Sequence, residues 1–87
     1  MNSVHDTNDH VMTEPALRYF CEKNNVEFLV YDLFRTHQRM YEMRRPTGGI
    51  TVLRFIDMEL IDALMISIMA KGMLRELISR EEEETEE

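Results

Sequence analysis

The chain's stock of catalytic side chains is small: three histidines and one cysteine. His5 and His10 flank Asp6 and Asp9, a set able to hold a divalent cation only on a rigid frame with outer hydrogen bonds to orient the rings. Their segment, MNSVHDTNDHVM, has no periodicity and many turn formers, so it reads as a mobile arm over residues 1–12, and no metal site is assigned to it. His37 lies between Arg35 and Arg39, which would repel any charge it gained, and reads as a surface turn residue. Cys21 has no base patterned around it and reads as a buried structural thiol. Gly48-Gly49 lacks the spacing to Lys and Ser/Thr of a phosphate loop and fits a hairpin turn instead. Asp57, Glu59 and Asp62 are close enough for acid–base work, but they equally suit a helix cap and the positive pole of its dipole. With no nucleophile–base pair, the pattern argues against an enzyme and calls for no cofactor.

Two charged groups remain. Residues 81–87 hold six glutamates: Glu81, Glu82, Glu83, Glu84, Glu86 and Glu87. The whole chain has a net charge of −7, and residues 1–80 sum to only −1, so this run supplies nearly all of it. The middle is the reverse: Arg35, Arg39, Arg44, Arg45 and Arg54 stand against one acid, Glu42, over residues 35–54. Arginines interleaved with Tyr41 and Phe55 can bind phosphates and stack bases, although an overall acidic domain is unlike most nucleic-acid binders. A block of like charge is either a solvated end or an interaction tail. As a tail it would compete for the lysines and arginines of a basic partner and speed association at low salt.

The elements that must position these groups follow from periodicity. Thr13-Glu14-Pro15 is a helix start, Leu17, Phe20 and Cys21 share one helical face, and Asn24-Asn25 is a stop, giving a helix over 14–24. Residues 26–33 are rich in β-branched and aromatic types and read as a strand; the spacing of Phe28, Leu29 and Asp32 leaves a helix as the competing assignment. After a turn at 35–37, residues 38–45 alternate, Pro46-Thr47-Gly48-Gly49 turns the chain, and Ile50 to Ile56 alternates again as the second arm of a hairpin. Asp57 is read as the cap of the last helix, with Glu59 in its first turn. The expected fold is α+β: a helix, a three-stranded antiparallel meander with helices on one face, and a long C-terminal helix, in one domain over residues 13–80 followed by an acidic tail over 81–87.

The last helix is apolar over much more than the usual third of its circumference. The sheet can cover one stripe. One stripe is Ile61, Leu64, Met65 and Ile68, another runs Leu60, Leu64, Ser67, Leu74, Leu77 and Ile78, and the one left uncovered predicts a homodimer packed through this helix, with Leu60, Ile61, Leu64, Met65, Ile68 and Met69 as its interface, unless the first helix covers that stripe within a monomer. The most apolar stretch, Leu60 to Met69, is short and contains Asp62, so it does not span a membrane. One cysteine rules out an internal disulfide, and residues 1–12 have no apolar leader, which together point to the cytoplasm. The reading that best absorbs these features is a small acidic interaction protein that binds and blocks or modulates a basic, nucleic-acid-binding protein, in the manner of the nucleic-acid-mimicking inhibitors common in phage and mobile elements. The alternatives are a nucleic-acid-binding or regulatory module that uses the arginine hairpin under an acidic gate, and a structural assembly adaptor.

Overall fold

The computed structural model describes residues 14–85. The predicted arm, with His5 and His10, and the last two glutamates, Glu86 and Glu87, lie outside the described residues. Within them the order is α1 (Glu14–Lys23), β1 (Glu27–Leu33), β2 (Gln38–Arg45), β3 (Gly48–Asp57), a 3-10 turn (Met58–Leu60) and α2 (Ala63–Thr85). The three strands form one antiparallel sheet in the order β1-β2-β3, so the α+β meander holds and the 26–33 segment is a strand. Asn25 ends α1 in the left-handed region at φ 57°, and Val26 N–H bonds back to the Cys21 carbonyl across the stop. His37 takes the same conformation in the β1–β2 turn.

Side-chain alternation sorts the sheet into two faces. Phe28 and Val30 of β1, Tyr41 and Met43 of β2, and Val52 and Ile56 of β3 share the inner face, as the pairings Phe28↔Met43↔Val52 and Val30↔Tyr41 require, and Val26, just before β1, joins the same core. Both helices pack on that face. α2 brings Ala70, Met73 and Leu77 onto β2 and β3, while α1 brings Leu17, Phe20 and Cys21 chiefly onto β1. Seven apolar residues among the described ones are buried, a small core even for this length, so each one carries much of the stability.

Ser67 sits among them, fully buried, and its hydroxyl has no hydrogen-bond partner among the described residues. A buried unsatisfied hydroxyl costs about 1–3 kcal/mol. Ser67→Ala, which removes the hydroxyl and leaves the packing, should therefore raise the urea midpoint without changing the slope of the transition. A drop in midpoint would show that the hydroxyl has a partner after all.

The start of α2 differs from the sequence expectation. Asp57 accepts a hydrogen bond from Glu59 N–H at 2.9 Å and caps only the 3-10 turn. Ile61 is then extended (φ −83°, ψ 127°), which breaks the helical path. The cap of α2 is Asp62, whose Oδ1 accepts from Met65 N–H at 2.8 Å. Both aspartates are good caps, and periodicity alone does not choose between them. No helix among the described residues is long and apolar enough to cross a membrane.

Candidate functional site

α2 continues through the first four glutamates of the run to Thr85. The run's first member is tied down. Arg45 donates from Nε to Glu81 Oε2 at 2.8 Å and from Nη2 to Glu81 Oε1 at 2.9 Å, a two-pronged pair. The same guanidinium donates from Nη1 to the Asn24 and Asn25 carbonyls at 2.6 and 3.1 Å. One side chain thus joins the end of β2, the C-terminal stop of α1 and the acidic end of α2.

The hairpin explains how Arg45 reaches all three. Arg45 pairs with Gly48 across the Pro46-Thr47 tip, whereas Arg44 pairs with Thr51, so Gly49 and Ile50 bulge out of the ladder. Gly48 and Gly49 lie at φ 96° and 93°, a conformation other residues rarely adopt. A bulge re-aims the neighbouring side chain and sharpens the local twist. The glycine pair, read from sequence as a turn, also sets the direction of the arginine beside it.

Most of the other hairpin arginines are similarly engaged. Arg39 Nε meets Asp32 at 2.6 Å, Arg44 Nε meets Glu27 at 3.1 Å with Glu42 nearby, and Arg54 pairs with Glu76, which also meets Arg80 one turn along α2. Of the five candidate nucleic-acid-binding arginines, Arg35 alone has no acid partner among the described residues. The +4 segment is therefore largely neutralised by the fold, an effect invisible to a count along the chain.

The acids divide in the same way. The Arg45 hydrogen bond holds the Glu81 carboxyl below the ordinary carboxylate range, and Arg54 does the same for Glu76. Glu82, Glu83 and Glu84 are exposed, and Glu83 and Glu84 border a shallow hollow with Ile50 and Arg80. Of the second group, Asp57 and Asp62 hold backbone amides and the exposed Glu59 lies 3.7 Å from His37 Nε2. Of the predicted dimer residues, Leu60 is 68 % exposed, Ile68 59 % and Leu64 43 %; Ile61 and Met65 are half-buried, and Met69 packs against the core. No three His, Cys, Asp or Glu side chains among the described residues converge as metal ligands.

Sequence reading missed the outer face of the sheet. Leu29, Tyr31, Leu33, Met40, Leu53 and Phe55 all lie there, opposite the helices, with Tyr31, Leu53 and Phe55 exposed. The strand alternation did carry the signal: both phases of β1 and β3 are apolar, a pattern that a sheet with one wet face does not need. Comparison with protein-family models, curated proteins and solved structures finds no match, and the site is read from its own chemistry.

Proposed function

We propose that the protein is an acidic binding protein that engages a basic, nucleic-acid-binding protein and blocks or modulates it through the carboxylates at the end of α2. The observation that carries this reading is the anchored helix end: Glu82, Glu83 and Glu84 are exposed immediately after a residue clamped to the body by Arg45. Successive glutamates on a helix place one charge per about 1.5 Å of axis, close to the one per about 1.7 Å of duplex DNA. A surface built for phosphates would meet a similar linear charge density. Glu81 serves as the anchor, and Glu82 to Glu87 make the contact. Asp57, Glu59 and Asp62, at the opposite end of α2, are second-tier contacts at most, because two of the three are spent on backbone amides.

The exposed stripe of Leu60, Leu64 and Ile68 is the face by which two copies would pair. Pairing doubles the charge offered to the partner.

The test replaces Glu82, Glu83, Glu84, Glu86 and Glu87 with Gln, keeps Glu81, and titrates a purified basic nucleoid protein by calorimetry across a salt series. Affinity at low salt should fall at least about tenfold, with a flatter salt dependence, as expected when several charge contacts go. Unchanged affinity at low salt overturns the reading. A second reading, an arginine hairpin gated by the acidic end, is favoured by the Arg45–Glu81 contact itself; it requires that Glu81→Gln, added to the same variant to release Arg45, raise affinity for DNA or RNA. An adaptor working through the apolar stripe requires instead that Leu64→Glu abolish assembly while the Gln changes do nothing.

A further inference from the structure

Between α1 and the first turns of α2 the inner face of the sheet is left open. The opening is a groove of about 530 Å³, within the range of small-ligand pockets. Leu17, Arg18 and Cys21 of α1 form one wall and Ile66 of α2 the other, over a floor of Phe28, Val30 and Arg39. Val30 lies on the same face as the core yet is 49 % exposed. The lining is apolar except for its two guanidinium groups.

The polar corner of the groove has unused capacity. Arg39 gives its Nε to Asp32, and its guanidinium also faces the Tyr41 hydroxyl. Phe28, in the floor, stacks on Tyr41 with ring centroids 5.6 Å apart. The Tyr41 hydroxyl is buried, Arg39 is the polar group that faces it, and together with Asp32 it holds the guanidinium pKa up. A guanidinium shared between Asp32 and Tyr41, with N–H groups beyond those two contacts, therefore stands at the edge of an apolar floor. A cationic ligand is disfavoured beside the Arg39 guanidinium. A dianion asks for more positive charge than Arg39 offers once Asp32 has taken its share. A single carboxylate matches both the charge and the two-pronged geometry of a guanidinium.

We propose that this groove binds an amphipathic monocarboxylate of the fatty-acid type, with its carboxylate on Arg39 and its apolar chain along Leu17, Phe28, Val30 and Ile66. The site is independent of the acidic end of α2. Cys21 in the wall supplies a reporter: a chain lying in the groove shields its thiol.

The probe is dodecanoate, kept below its micelle-forming concentration and titrated into the full chain by calorimetry. Saturation at one molecule per chain is expected, with dodecanol at least about tenfold weaker, the least that one charged hydrogen bond is worth. Arg39→Gln should weaken dodecanoate to a similar degree and leave dodecanol unchanged. Saturating dodecanoate should also slow alkylation of Cys21 by N-ethylmaleimide. If Arg39→Gln does not fold, Val30→Trp, which fills the floor from a half-exposed position, should abolish binding while the circular dichroism spectrum stays native. Non-saturable uptake, equal affinity for dodecanol and dodecanoate, or an alkylation rate unaffected by bound dodecanoate overturns the proposal.

Discussion

Leu77→Ala should cost about 2–5 kcal/mol, the range for truncating a fully buried leucine, and lower the melting midpoint by at least about 10 °C for a domain of this size. Leu77 has no exposed surface and belongs to the set of seven buried apolar residues that joins α2 to β2 and β3. A single small core supplies only about 3–5 kcal/mol of net stability, so the variant should be partly unfolded at room temperature. Leu77→Met, which conserves volume, should cost less than about 1.5 kcal/mol. Thermal and urea transitions followed by circular dichroism check both. A cost for Leu77→Ala below about 1 kcal/mol would mean that α2 does not pack on the sheet through this face.

Arg45→Gln should release the end of α2 and loosen the stop of α1 together. The substitution removes both contacts to Glu81 and the cover over the Asn24 and Asn25 carbonyls. These groups are partly solvated, so the expected cost is about 1–2 kcal/mol rather than the full value of a buried charged network. Amide exchange should speed up in two places distant in sequence, residues 23–26 and residues 78–84, a joint response that a purely local change at β2 would not produce. The pH dependence follows from the same contact. Glu81 titrates below its unfolded value because Arg45 favours its charged form, so its contribution is present above the unfolded carboxylate pKa and is lost as pH falls through the lower, folded one. In Arg45→Gln the Glu81 titration, read by carboxyl NMR, should move up into the ordinary carboxylate range. A Glu81 midpoint that does not move would remove the clamp from the account.

The architecture was largely legible, because each element carried a signal of its own. Asn24-Asn25 stopped α1, alternation over 38–45 and 50–56 marked the hairpin, and Pro46-Thr47-Gly48-Gly49 could only be a turn. Local signals failed where two residues bid for one role: Asp57 and Asp62 both look like caps, and the choice depends on the backbone of Ile61, which nothing in the sequence marks. The candidate site was legible in composition but not in pairing. That Arg45 meets Glu81, or Arg54 meets Glu76, depends on the sheet's register and on the rotation of α2 about its axis. Neither is a property of any stretch of chain. The run from Glu81 onward read as an end because charge density suggests solvation; helical phase, which turns Glu81 toward the sheet and its neighbours away, was the missing coordinate.

The continuity of α2 through its glutamates sets up a frustration at the chain's end. A helix gathers partial negative charge at its C-terminus, and like charges one turn apart oppose helix formation. Glu84 follows Glu81 by one turn near the end of α2, where both effects work against it. Winding of this segment is therefore tied to its neutralisation: cations brought by a basic surface would relieve the repulsion and tighten the last turn as they bind. Under the proposed function, order and recognition would then be one equilibrium at the end of α2.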